Sequence, residues 1–413
     1  MEKNKLLDGI KVVDFGWIAV APVTARYLGD MGATVIKVET HTRMDTGRLS
    51  SPNKDNQVGI DNSGWFAQWN SSKLGITVDL TKPKGKEVGE RIIKWADVAI
   101  EGFLPGVMNR FGLDYDAARK IKPDIIYLSA SQFGQTGPHA TFTGFGHMLV
   151  GMTGISQLTG FPDQIPTPPF GAYGDCIAWR FCVASLLAAL DYRRRTGKGQ
   201  HIDLSQLEAG LYFLGPALMD YLVNGRIWNR NGNRCPYAAP HGVYRCKGDE
   251  QWIAITVGSD NEWRSFCRVI DQSAWTKDPK FATLLDRKEN EDELDRLVED
   301  WTINHAPEEV GALMQAAGVP ASVVESVKHL VEDPQLIHRG FFRRLGHKVL
   351  GDFGYHAPAY KLSKSPDSMY PSPCMGEHNL YVFEDILGYS RDEIADMVAD
   401  STITGEADIK MVP

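Results

Sequence analysis

Six cysteines in 413 residues are too few and too irregularly spaced to staple this chain. Cys176, Cys182, Cys235, Cys246, Cys267 and Cys374 form no CxxC pair, so they read as the reduced thiols of a cytoplasmic protein. His241 lies between Cys235 and Cys246, but that spacing fits no zinc module, and no metal is expected. No run of 18 apolar residues occurs, so no membrane span is expected. The N-terminal MEKNKLLDGIK lacks the apolar core of a secretory signal. Basic charge is not in excess either: 44 Lys and Arg face 52 Asp and Glu, a net charge of −8. That argues against nucleic acid as a partner, but not against a small anionic ligand held by a local cluster of cations.

Several catalytic fingerprints are also missing. The turn DFGWIAVAP after the first predicted strand has no G-x-G-x-x-G, so a bound dinucleotide is not expected. Glu39, where a ribose-binding acid would sit, then reads as a surface or loop contact. GISQLTG at 154–160 does not match the G-x-S-x-G nucleophile elbow. No internal repeat or low-complexity segment is visible.

The composition that remains is globular, 43% hydrophobic and 23% charged, and the length asks for two domains. Ile10–Phe15 is a short apolar run, read as a buried strand. A helix follows from Ala21-Pro22 to Met31, with Gly32 suited to a left-handed cap. Thr34–Val38, Gly75–Leu80, Asp97–Glu101 and Asp124–Ser129 are further strands, separated by helical stretches at Lys84–Trp95 and Tyr115–Ile121. Strands alternating with helices predict an α/β domain with a largely parallel sheet, whose ligands bind beyond the strands' carboxyl ends. Residues 201–223 read as helical and apolar. A turn-rich linker at 228–240 and a hairpin at 242–258 then open a small α+β domain, with acidic helices at Glu289–Trp301 and Pro307–Ala317. The expected division is 1–227, 228–325 and a returning segment 326–413, with Tyr381–Leu387 and Arg391–Met397 helical.

Asp175 stands out. A glycine-rich turn delivers it to the start of an apolar segment, residues 176–190, whose strongly polar positions are Arg180 and Ser185. Such a helix is expected to be buried all round. Its lone acid is either an N-cap or a reactive carboxylate at a positive helix end, and local features alone favour the cap. Lys37, Lys73 and Arg110 adjoin predicted strand ends; singly they are surface charges, together they could hold a phosphate-bearing ligand. His147 is a general base or a wall residue. Arg43, Arg48 and Arg234 are surface charges or partners for a second substrate carboxylate.

An ordered series of segments changes the weighting. LLDGIKVVDF at 6–15, LGDMGATVIKVE at 28–39, ADVAIEGFLPGVMNRFGL at 96–113, TGKGQHIDLSQLEA at 196–209 and GEHN at 376–379 together resemble the family III CoA-transferases, the group of formyl-CoA and carnitine CoA-transferases. The resemblance runs over about residues 6–400. It implies a large Rossmann-like domain built from both chain ends, a small inserted domain, and two subunits threaded through each other as a homodimer or with a homologous subunit. It implies a coenzyme A thioester and a carboxylic acid as substrates, with no permanently bound cofactor. Asp175 matches the family's catalytic aspartate. Lys73, Phe103 and Arg110 match positions that contact CoA. Trp17, Ala19, Phe145 and His147 fall at the acyl pocket.

The departures also carry information. Trp17 and Ala19 stand where formyl-CoA transferase has His and Gln, which predicts an apolar pocket and a bulky or aromatic acceptor acid. Gly146 stands where the family's common GYD has an acid, and His147 is the nearest group to take part of that role. Two alternatives remain at this point. One is an α-methylacyl-CoA racemase, whose His would fall at Phe145 here. The other is a non-catalytic subunit of a heteromeric transferase.

Overall fold

The computed structural model describes residues 5–270 and 274–405. The chain divides into two compact units. One takes in the chain up to Ser156, Pro168–Ile227 and the chain from Ile337; the other takes in Gln157–Thr167 and Trp228–Leu336. The second unit therefore claims the segment 157–167 and extends past 325, where the sequence reading placed the return.

The first unit is built on six strands: β1 (Lys11–Asp14), β2 (Thr34–Glu39), β3 (Leu74–Thr77), β4 (Val98–Glu101), β5 (Ile126–Ser131) and β6 (Gln200–Ser205). All pair in parallel, in the order β3-β2-β1-β4-β5-β6. Neighbouring side chains on each strand go to opposite faces. Val13, Ile36, Ile76 and Tyr127 enter one core, with Ile92 and Phe383. Val12, Val35, Ile100 and Leu128 enter the other, with Leu28, Cys182 and Leu186. The result is a sheet with a helical layer on each face. The strand order reverses between β1 and β4, and there the loops splay apart to leave a crevice.

The helices of this unit are α1 (Val20–Asp30), α2 (Gly64–Asn70), α3 (Pro83–Trp95), α4 (Val107–Phe111), α5 (Tyr115–Ile121), α6 (Gly146–Met152), a short α7 (Ile155–Leu158) that runs into the second unit, α8 (Tyr173–Thr196), α9 (Gln206–Leu211) and α10 (Gly215–Asn224). α8 corrects one expectation. It is long and apolar enough to pass for a membrane span by length and composition. Yet beyond its first turn, where Gly174 and Asp175 are buried, only the stripe Ala178, Cys182, Val183, Leu186 and Ala189 is buried, and Phe181, Ala184 and Tyr192 on other faces are exposed.

A second correction concerns residues 201–205, read as helix but folded as edge strand β6. Their alternation of outward His201 and Asp203 with inward Ile202 and Leu204 is a period of two, not 3.6. The sequence reading also missed an antiparallel hairpin, Phe342–His347 with Gly351–His356. The Tyr381–Leu387 stretch is a helical turn followed by a π-turn, Val382–Ile386.

In the second unit, β7 (His241–Arg245) and β8 (Trp252–Thr256) form the expected hairpin, joined antiparallel by β9 (Ala321–Val323). Trp263, Phe266, Leu294, Val298 and Met314 close its core from the helices Asp260–Ile270, Glu291–Thr302 and Pro307–Ala316.

Candidate active site

At the β1/β4 switch point a cavity of about 290 Å³ opens on the carboxyl ends of the strands. Trp17–Ala21 follow β1, Gly102–Leu104 follow β4, Ala130–Gln132 end β5, and Gln206 follows β6. Phe142, Phe145, Gly146 and Asp175 complete the wall.

Asp175 is the third residue of α8, which the left-handed Gly171 turns into place. The cap position belongs to Ala172, whose carbonyl accepts the Asp175 N–H at 3.0 Å. The carboxylate is therefore not spent on capping. Among the described residues it accepts no hydrogen bond and meets no cation. Burial alone pushes its pKa up to about 6. A lone carboxylate costs free energy when buried.

Gly146 explains how it fits. A Cβ there would lie 2.6 Å from Asp175 Oδ2 and 2.3 Å from Ala172 Cβ. No acid can occupy this position without displacing Asp175. His147 does not supply the missing charge: it is exposed on the first turn of α6 and is not part of the cavity wall.

The residues expected to shape the acyl pocket mostly meet here. Trp17 packs edge-on against Phe103, ring centroids 5.6 Å apart. Ala19 is buried behind them, and Phe145 stands largely exposed at the rim. Between Trp17 and Ala19, Ile18 has φ +61, a left-handed conformation that a β-branched residue adopts only under constraint. Its N–H donates to Asp45 Oδ1 at 2.9 Å. Nothing in the sequence marks Ile18, because the strain comes from a contact 27 residues away.

Asp45 belongs to a buried ionic network under this turn. Its Oδ2 lies 3.1 Å from Lys37 Nζ, and that ammonium donates to the Gly16 carbonyl at 2.7 Å. Lys73 Nζ donates to Asp14 Oδ2 at 2.7 Å and Asn70 Oδ1 at 2.8 Å, while Asp14 Oδ1 accepts the Gly16 N–H. Burial, with Lys37 nearby and Asp14 opposing, pulls the Lys73 ammonium down to about 8. Arg48 grips Glu39 with two hydrogen bonds and Asp61 with a third.

This network corrects the sequence reading at four positions. Glu39 is not a surface contact, and Lys37, Lys73 and Arg48 are not free cations awaiting phosphate or carboxylate. All four are buried and paired, and Lys37 and Lys73 hold the end of β1 and the turn after it. Arg234 likewise pairs with Asp292, Asp295 and Glu291 within the second unit. Two candidate cations stay unpaired among the described residues. Arg110 is exposed on α4. Arg43 is exposed with its guanidinium 5.5 Å from the centre of the Trp17 ring. No group of three or more His, Cys, Asp or Glu suited to a metal occurs among the described residues.

A profile of CoA-transferase family III matches residues 7–379. The succinyl-CoA–D-citramalate CoA-transferase of Chloroflexus aurantiacus is 31% identical, over 96% of this chain and 98% of its own length. The succinate–glutarate CoA-transferase of Agrobacterium fabrum is 30% identical, over 92% and 95%. Among solved structures, a CAIB/BAIF family protein from Brucella suis superposes with a TM-score of 0.86 at 31% identity, covering 93% of this chain and all of that one.

Proposed function

The chain belongs to CoA-transferase family III, and from that premise we propose that it transfers CoA from succinyl-CoA to a second carboxylic acid with Asp175 as nucleophile. The observation that carries this reading is an unpartnered, buried carboxylate in a crevice at the sheet's switch point.

The chemistry follows from what a carboxylate can do to a thioester. Asp175 attacks the acyl carbonyl, forming a mixed anhydride and expelling the CoA thiolate. The thiolate attacks the aspartyl carbonyl, releasing the donor acid and leaving an aspartyl-CoA thioester. The acceptor carboxylate attacks that thioester, giving a second anhydride and thiolate. The thiolate then takes the acceptor acyl group, and Asp175 returns as a carboxylate. Each anhydride would be lost to water, so the aromatic wall of Trp17, Phe103, Phe142 and Phe145 serves to keep the crevice dry. CoA phosphates are read here as meeting Arg110, which is exposed and free.

The pocket's apolar surface fits an acceptor with a bulky hydrocarbon body. Of the three arginines singled out in the sequence, only Arg43 is unpaired, and it covers Trp17. The two relatives named above act on dicarboxylic acids. The acceptor is accordingly read as a bulky acid with a second carboxylate, held by Arg43. A racemase would need an acid–base pair across the crevice. Phe145 has no proton to give, and His147 is outside the wall.

The test is a panel of acids offered with succinyl-CoA, with products followed by mass spectrometry. Bulky dicarboxylates are expected to outrun their monocarboxylate analogues, by about tenfold or more for wild type and not for Arg43→Ala. A preference for short monocarboxylic acids in both proteins would overturn the acceptor assignment.

A further inference from the structure

Behind the Phe103 wall lies a second cavity of about 350 Å³, and Leu104 lines both. Its floor is Glu101, the last residue of β4, which is 3% exposed and makes no ion pair among the described residues. Glu101 Oε2 accepts the Phe103 N–H at 2.6 Å. Ser129, beside it on β5, favours the ionised carboxyl, and Ser129 Oγ lies 3.0 Å from His201 Nε2. The His201 ring is stacked on Tyr115, centroids 4.9 Å apart. Gln135 Nε2 lies 3.5 Å from the Phe103 carbonyl and 3.2 Å from Ser131 Oγ. The Phe103 peptide is thus held on both sides, and Phe103 in turn supports Trp17.

We propose that Glu101 is a positioning residue for CoA transfer: through its hydrogen bond to the Phe103 main chain it fixes the aromatic wall of the Asp175 crevice, with Ser129 and His201 completing the chain. The inference rests on the reading of Asp175 as nucleophile. Nothing in the chemistry of transfer consumes Glu101, and no cation offsets its burial. Tyr127 and Ser129 face it from β5, His201 and Asp203 from β6, Gln135 from the loop after β5, and Asp114 and Asp116 across the cavity. These groups are neutral or acidic apart from His201, whose own basicity burial lowers. Burial, helped by Asp203, pushes Glu101 up to about 7, against the Ser129 and Phe103 hydrogen bonds. The hold on Phe103 is strongest when the carboxyl is ionised, because a charged acceptor binds an N–H about twice as strongly as a neutral one.

The experiment follows exchange of isotopically labelled succinate into succinyl-CoA, which needs no knowledge of the acceptor, from pH 5.5 to 8.5. Wild type, Glu101→Gln, Glu101→Ala and Asp175→Asn run together, with CoA affinity by calorimetry and melting temperature for each. The Gln variant keeps a neutral acceptor for the Phe103 N–H, so it is expected to match wild type near pH 6 and fall about three- to tenfold behind at pH 8. The Ala variant is expected to lose about tenfold or more throughout, and to bind CoA more weakly while still folded. Equal pH profiles for wild type and Gln, or an Ala variant as active as wild type, would overturn the proposal. Exchange surviving in Asp175→Asn would instead overturn the nucleophile. The Glu101 claim would then be judged on CoA affinity, and equal affinity in Ala and wild type would sink it.

Discussion

Asp175 is expensive where it stands, and that expense can be measured. Its folded-state pKa, about 6, exceeds the ordinary 3.8, so the folded protein favours the protonated form more than the unfolded chain does. Ionisation therefore costs stability. The cost is full above about pH 6 and vanishes below pH 3.8, where both states are protonated. Two units correspond to about 3 kcal/mol. Asp175→Asn is expected to abolish transfer yet be more stable by about 1–3 kcal/mol at pH 7.5, with the gain shrinking to nothing near pH 4. Denaturant unfolding at the two pH values measures it. An Asn variant less stable than wild type at pH 7.5 would mean that the carboxylate has a stabilising partner. Transfer itself is expected to decline as pH falls through about 6, as the nucleophile is protonated. At this scale the sequence was legible where chemistry sits on one residue. It was illegible where the role depends on a distant neighbour. Lys73 looked like a phosphate cation, but Asp14, 59 positions away, takes its charge. Glu39 looked superficial until Arg48 closed over it.

Elements repeat that division. β1 to β5 and the helices α1, α3 and α5 between them were readable, because buried parallel strands are short apolar runs; the short helices α2 and α4 were missed. β6 was misread because an edge strand half open to solvent carries little apolar signal, and it runs straight into the helix after Ser205. α8 shows a different failure. Its apolar sequence predicted burial on all sides, but one stripe alone is covered. The Phe181 ring on α8 meets that of Tyr212 at a tilt, centroids 5.2 Å apart, and Phe213, Met219, Leu222 and Val223 extend the same uncovered apolar character from the turn after α9 along α10. Apolar surface of this kind is a contact surface. We propose that a partner subunit covers it, as in the interlocked dimer that the family resemblance implies. Sedimentation at micromolar concentration is expected to give twice 45.9 kDa. A monomer at that concentration would leave those side chains unexplained and contradict the dimer.

The whole molecule places its chemistry where an open parallel sheet must. Reversal of strand order between β1 and β4 opens the crevice, α8 delivers a carboxylate to it, and a buried ionic network stiffens the turn opposite. The family match over residues 7–379 gives the reaction class, and we propose Asp175 as its nucleophile. The measurement that tests this most directly is a quench of the protein with succinyl-CoA alone, followed by proteolysis and mass spectrometry. The account predicts CoA attached as a thioester to the peptide carrying Asp175, lost on addition of an acceptor acid and absent in Asp175→Asn. Transfer to an acceptor with no CoA on that peptide, or with CoA on another residue, would contradict it.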